Sequence, residues 1–172
     1  MNTETETLAA ANSDAVVKLP VQPPRAVPET SPLIERLVSV HGATWVDEKT
    51  IDAWAAEGGD RVVLFAGDPV QFPEGLDVAV VLPELQRCFP GRFKVAVVPR
   101  QIEKAVALRY GSQRWPALLF LRDGQYVTTL CGMHDWDEYV VQMAEALALP
   151  ISRAPTIGIA VVSATASAAS CH

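Results

Sequence analysis

Residues 110–124 read Tyr110-Gly111-Ser112-Gln113-Arg114-Trp115-Pro116-Ala117-Leu118-Leu119-Phe120-Leu121-Arg122-Asp123-Gly124. Tyr110-Gly111 closes a helical stretch, because glycine accepts the backbone conformation in which helices end. Pro116 then leads into the apolar run Ala117 to Leu121, and Asp123-Gly124 separates it from a second run, Tyr126 to Leu130. Asp-Gly between two apolar runs is the strongest short-range hairpin signal, since a two-residue turn needs left-handed backbone at both positions. The stretch therefore predicts a helix end, a strand entered through proline, and an antiparallel hairpin.

Working outward, strands alternate with helices. Ser31-Pro32 is a helix start with a capping serine and proline at the first helical position. Leu33, Ile34, Leu37 and Val38 supply its apolar face, and Gly42 ends it. Ala43 to Val46 is a short strand, and Asp47 caps a helix with Ile51, Trp54 and Ala55 inward. Arg61 to Ala66 is a strand covered on both faces, as its unbroken apolar run requires. A loop over 67–74 precedes a helix from about Gly75 to Phe89, a strand from Phe93 to Val98 and a helix from Gln101 to Arg109. Beyond the hairpin, Asp135 with Glu138 makes a capping-box pattern. The last helix buries Trp136, Tyr139, Val140, Met143 and Leu147. The order is βαβαβαββα behind an extra N-terminal helix. That is the α/β class, a mixed central sheet between two helical layers.

With 172 residues, 49% of them apolar, and a formal net charge of −6, the chain has material for one domain of ordinary size. The acidic balance argues against nucleic acid as a partner, since phosphate binding needs a basic footprint. No segment approaches the roughly 20 apolar residues of a spanning helix, so no membrane insertion is expected. Met1 to Ala11 lacks the basic start and apolar stretch of a secretory signal. Cys88, Cys131 and Cys171 are scattered and odd in number, as free thiols of a reducing compartment are. A cytoplasmic protein is the expectation. Residues 1–30, with Pro20, Pro23, Pro24 and Pro28, read as a flexible arm. Residues 31–149 form the domain, and 150–172 read as a flexible tail.

Phosphate-loop, dinucleotide, zinc-protease and nucleophile-elbow motifs are absent from the sequence. His41, His134 and His172 have no partner at ligand spacing. His134 with Asp135 and Asp137 reads as an acid-rich helix start. Cys131 reads as a small buried hydrophobe, and Trp54 and Trp136 as core packing. Neither metal nor cofactor is expected.

The stretch 110–124 resembles the second half of thioredoxin, where a helix ends in Tyr-Gly and a cis proline opens a strand facing the active site. The resemblance implies a cis Trp115-Pro116 bond. Pro83, within Val78-Ala79-Val80-Val81-Leu82-Pro83-Glu84-Leu85, matches the kink proline of thioredoxin's active-site helix. An interior proline costs a helix about 3 kcal/mol, so it needs a reason to be there. In thioredoxins the two active-site cysteines lie eight and five residues before that proline. Here those positions are Gly75 and Val78, so thiol–disulfide exchange has neither attacking nor partner sulfur.

A narrower resemblance accounts for the loss. Val62-Val63-Leu64-Phe65 with Gly67-Asp68-Pro69, the Pro83-Glu84-Leu85 helix, Arg114-Trp115-Pro116-Ala117-Leu118 and Asp123-Gly124 resemble the HyaE/HupG/HoxO family of hydrogenase expression proteins. The match spans about 30–148. It implies a non-catalytic cytoplasmic chaperone for uptake [NiFe] hydrogenase, whose partners are the small-subunit precursor with its twin-arginine signal peptide and other accessory proteins. The expected peptide-binding edge combines Asp68, Phe72, Glu74, Leu76, Asp77, Trp115 and Pro116, with carboxylates for paired arginines and apolar groups for the stretch that follows them. Two other classes share these residues: a redox protein using Cys88 or Cys131 as a lone thiol, and a thioredoxin-like interaction module with an unrelated partner.

Overall fold

A computed structural model describes residues 30–155. The elements are α1 (Pro32–Ser39), β1 (Thr44–Trp45), α2 (Ile51–Ala56), β2 (Asp60–Phe65), α3 (Glu74–Cys88), β3 (Phe93–Val97), α4 (Arg100–Arg109), β4 (Ala117–Arg122), β5 (Gln125–Cys131) and α5 (Trp136–Ala148). The order read from the sequence stands in every element. The sheet runs β1-β3-β2-β4-β5. β1, β3 and β2 are parallel, whereas β4 is antiparallel to β2 and β5 to β4. That order and mix of directions is the thioredoxin-like arrangement.

β2 lies at the centre, and Val62, Val63, Leu64 and Phe65 are wholly buried. Period-two alternation splits them. Val62 and Leu64 join Val95, Val97, Leu118 and Phe120 in a core beneath α1, α3 and α5. Val63 and Phe65 face the other way, towards Ile51 and Trp54 of α2 and Val106 and Ala107 of α4. Two apolar faces on one strand require helices on both sides. Arg61, 2% exposed, is the polar exception in this strand. Its guanidinium lies 4.9 Å above the Trp54 ring, and its Nε donates to the Gly58 carbonyl at 3.1 Å.

The hairpin forms as read. Asp123 (φ 50°) and Gly124 (φ 79°) both adopt left-handed backbone, the geometry of a two-residue turn. The Asp123 carboxylate also accepts from the Gly59 N–H at 2.8 Å, tying the turn to the start of β2. Asp123→Ala removes that acceptor and puts a residue with no local compensation into left-handed backbone. We expect it to cost about 1–2 kcal/mol, read as a lowered denaturation midpoint with an unchanged slope.

Several local expectations are corrected. Trp136 is 44% exposed and belongs to neither core. It is the first residue of α5, and the buried stripe begins only at Tyr139, continuing through Met143, Ala146 and Leu147. Asp135 occupies the N-cap of α5 without a side-chain capping bond. Glu138, its expected capping-box partner, instead accepts from Gln142 at 2.6 Å and lies 3.2 Å from the His134 ring.

Residues 150–155, expected to begin the tail, run back along β5. The Ser152 N–H donates to the Tyr126 carbonyl at 2.8 Å, and its hydroxyl to the Val127 carbonyl at 2.8 Å. Ala154 packs on the α2/α4 core. An edge strand has unpaired backbone groups on its outer side, and this segment takes up two of them. Arg122 holds the turn that delivers it, donating to the carbonyls of Leu147 and Leu149, each at 2.7 Å. The remainder of the expected arm and tail, with Cys171 and His172, lies outside the described residues. No helix among those described is long and apolar enough to cross a membrane.

Candidate functional site

From the C-terminal end of β2 the chain crosses to one face of the sheet through α3, and from the end of β3 it crosses to the other face through α4. Such a divergence opens a crevice beyond the strand ends, where open α/β sheets place their ligands. Two clefts meet there. The first, of about 230 Å³, has apolar walls from Ile34, Trp45, Leu76, Val97 and Val98. The second, of about 320 Å³, is walled by Asp68, Gln71, Phe72, Lys104 and Trp115. Gly67, Arg100 and Glu103 border both.

The loop leaving β2 shapes the partition. Gly67 (φ 81°) runs against two aromatic rings, and a Cβ there would lie 2.8 Å from Phe72 and 3.0 Å from Trp115. Those rings stack on one another, centroids 5.8 Å apart and planes 30° apart. The Asp68 carboxylate caps the next turn, accepting from the Val70 N–H at 2.8 Å, and pairs with Arg100 at 2.9 Å.

α3 begins against the end of β2. At Gly75 a Cβ would stand 1.9 Å from the Ala66 carbonyl oxygen. The position of the first thioredoxin thiol is thus filled by backbone. Val78, at the second, is buried in the α1/α3/α5 core. Cys88 is exposed at the far end of α3, and Cys131 is half-buried at the end of β5, where it was expected to be fully buried. Burial pushes the Cys131 thiol up, against weaker opposing effects of Arg114 and Ser112. A thiol held in its protonated form is a poor nucleophile.

The Trp115-Pro116 bond is cis. Among the described residues, neither the N–H nor the C=O of Trp115 has a hydrogen-bond partner, whereas the Pro116 carbonyl accepts from Gly132 at 2.8 Å. Pro116 itself is buried.

The structure thus gathers Asp68, Phe72, Leu76 and Trp115 around the two clefts, whereas Pro116, next to Trp115, is buried and lines neither. Glu74 and Asp77 stand exposed on the first turn of α3, with no ion-pair partner among the described residues. The Asp68 carboxylate is shared with Arg100, which pairs with it at 2.9 Å.

Glu103 was not foreseen. It is 3% exposed, and its carboxylate accepts from the N–H groups of Ala66 (3.1 Å) and Gly67 (2.8 Å) and from the Trp115 indole (2.5 Å). Burial raises its pKa to about 7, even though these three bonds and Arg100 oppose the rise. A signal was available: Glu103, Val106, Ala107 and Tyr110 share one helical stripe, and an acid on a buried stripe is rare unless paired. Met133 (41% exposed) follows Gly132 directly, with exposed Trp136 nearby in sequence, adding apolar surface beside the proline turn.

No group of three or more potential metal ligands gathers among the described residues. His134 serves locally, with Nε2 3.0 Å from the Cys131 carbonyl oxygen.

Residues 33–139 match the family described as hydrogenase-1 expression protein HyaE. A similar protein is the hydrogenase expression/formation protein HoxO of Cupriavidus necator, 53% identical over 164 residues, covering 94% of this chain and 99% of that one. Another is HupG of Bradyrhizobium diazoefficiens, with the same description, 37% identical over 126 residues, 71% of this chain and 85% of that one. Among solved structures, a crystal structure of a hydrogenase expression/formation protein HupG from Rhodopseudomonas palustris is 39% identical. It covers 61% of this chain and 95% of that one at a TM-score of 0.44.

Proposed function

We propose, on the premise that this chain belongs to the HyaE family of hydrogenase expression proteins, that it is a non-catalytic chaperone of [NiFe] hydrogenase maturation. Membership of that family places it in hydrogenase expression and formation. The finer reading is that it works in the cytoplasm and binds the small-subunit precursor with its twin-arginine signal peptide before export, other accessory proteins joining it.

The observation that carries this reading is Gly75. A thiol cannot occupy its position while α3 abuts the Ala66 carbonyl, yet the edge beside it stays open and has unpaired backbone at Trp115. A site closed to sulfur chemistry and open to a strand-like peptide suits binding. The raised Cys131 thiol and the distance of Cys88 from the edge along α3 weigh against the lone-thiol alternative.

Charge orients the peptide. Lys104 stands on the Trp115 side, whereas Glu74 and Asp77 stand on the first turn of α3. The paired arginines therefore face α3, and the apolar stretch lies along Leu76, Phe72 and Trp115. Buried aromatic anchors govern dissociation, while exposed charges govern encounter. Trp115→Ala is expected to speed dissociation of the precursor about 10- to 100-fold, with association little changed. Glu74→Gln with Asp77→Asn is expected to slow association several-fold and flatten its salt dependence. Surface-plasmon kinetics of the folded variants measures both. Rate constants unchanged in all of them would rule this edge out.

A further inference from the structure

Three separate pieces of backbone and side chain converge on one carboxylate. Glu103, in the first turn of α4, accepts from two successive N–H groups where β2 ends and from the indole that precedes Pro116. The same indole stacks on Phe72, whose N–H donates to the Asp68 carbonyl at 2.7 Å. Through these contacts one buried group sets the spacing between the loop leaving β2 and the proline turn, the two walls of the peptide edge.

We propose that Glu103 is the positioning residue of that edge: ionised, its carboxylate clamps the Trp115 indole and the Gly67 backbone in the binding arrangement, and protonated, it loosens the indole and weakens peptide binding. This rests on the reading of the edge as the precursor-binding surface.

The chemistry follows from the bonds. A carboxylate accepts N–H donors through charge-assisted bonds roughly twice as strong as neutral ones. Its Oε1 receives two donors, Gly67 and Trp115, and Oε2 receives one, Ala66. A proton therefore goes to Oε2, the less engaged oxygen. The charge assistance at Oε1 is then lost, and the indole is the donor freest to move, because the other two belong to the chain leaving the sheet.

The charged groups lining the two clefts are Arg100 and Lys104 from α4 itself and Asp68 from the loop. Arg100 is turned onto Asp68 at 2.9 Å, so Glu103 has no ion-pair partner of its own among the described residues. The β1, β3 and α1 walls bring no charged or acidic side chain. Desolvation consequently outweighs the opposing contacts and leaves the group titrating at about 7. Ionisation also favours a cationic peptide, so both effects run in the same direction.

Two measurements on the full chain test this. The first follows the Trp115 indole N–H resonance by nitrogen-15 NMR between pH 5.5 and 8.5, assigned through Trp115→Phe. The Glu103 carboxyl carbon resonance is followed in parallel. Both are expected to move together with a midpoint of about 7, and in Glu103→Gln the indole should not titrate. The second compares the affinity for a synthetic twin-arginine signal peptide at pH 6 and pH 8. Wild type is expected to bind about fivefold more weakly at pH 6, and Glu103→Gln with the same affinity at both.

An indole that ignores the carboxyl titration, or that titrates equally in Glu103→Gln, overturns the clamp. An indole that titrates while peptide affinity stays constant with pH overturns its role in binding. If Trp115→Ala binds the peptide as wild type does, the edge itself is misassigned, and the failure belongs to that earlier reading.

Discussion

Restoring a thiol pair at positions 75 and 78 is expected to disrupt the domain, not to create an oxidoreductase. A Cβ at residue 75 stands 1.9 Å from the Ala66 carbonyl oxygen and 2.8 Å from its carbon. The contact is with backbone, Ala66 directly after β2 against the first turn of α3, so no side-chain rotation relieves it. Relief requires α3 to slide away from the sheet, which would pull Val78, Ala79 and Leu82 out of contact with Val62 and Leu64. Alanine would gain up to about 1 kcal/mol over glycine from helix propensity. Overpacking of this severity outweighs that gain, and Gly75→Ala should lose about 3 kcal/mol or more, a fall in melting temperature of about 10 °C. Gly75→Cys with Val78→Cys should fare worse and show no insulin-reducing turnover. Val78→Cys alone only trims a buried side chain and should cost about 1 kcal/mol. A Gly75→Ala protein as stable as wild type in thermal denaturation would show that α3 does not abut β2 in this way.

The second large effect is an inverted dependence of stability on pH. Ordinary carboxylates, held below their free values by partners in the folded state, make a protein more stable as pH rises. Glu103 works in the opposite direction. Its folded value is about 7 against a reference of 4.5, so the folded state binds its proton more tightly than the unfolded state does. Its contribution to stability is greatest at low pH, falls as pH rises above the unfolded value, and is gone above about 7. Between pH 5 and pH 8 the loss amounts to about 2–3 kcal/mol. Urea unfolding across that range should show wild type losing stability, and Glu103→Gln should be flatter by that amount. A variant with the same slope as wild type would mean that the carboxylate titrates normally.

These two sites mark where the sequence could and could not be read. Gly75 was located through the resemblance to thioredoxin, by counting back eight residues from the proline that matches its kink proline, Pro83. The hairpin was found because Asp123-Gly124 demands a particular backbone. The hairpin rests on a local rule with few solutions. Glu103 obeys a non-local one: its three donors lie 12 to 37 residues away along the chain, and only the folded sheet brings them together. Its place on the Val106–Tyr110 stripe was visible, but its partners were not. Asp68 is engaged non-locally in the same way, since Arg100 of α4 pairs with it at 2.9 Å, a contact that sequence spacing does not reveal. Trp136 failed differently. Helical spacing says which residues share a face, and it does not say where along the helix the core begins.

The short return of residues 150–155 along β5 has a consequence for self-association. A sheet ending in an uncovered strand is a template on which a second copy can pair, edge to edge. Here Ser152 occupies the carbonyls of Tyr126 and Val127, and Ala154 seats beside them. A chain cut after Leu149 would keep every helix and strand yet bare that strand, and such a fragment would tend to dimerise or form fibrous aggregates. One cut after Pro155 would keep the Tyr126 and Val127 carbonyls occupied and should self-associate less in size-exclusion chromatography. Six residues outside any helix or strand thus occupy the start of the edge strand that a second copy would otherwise find open.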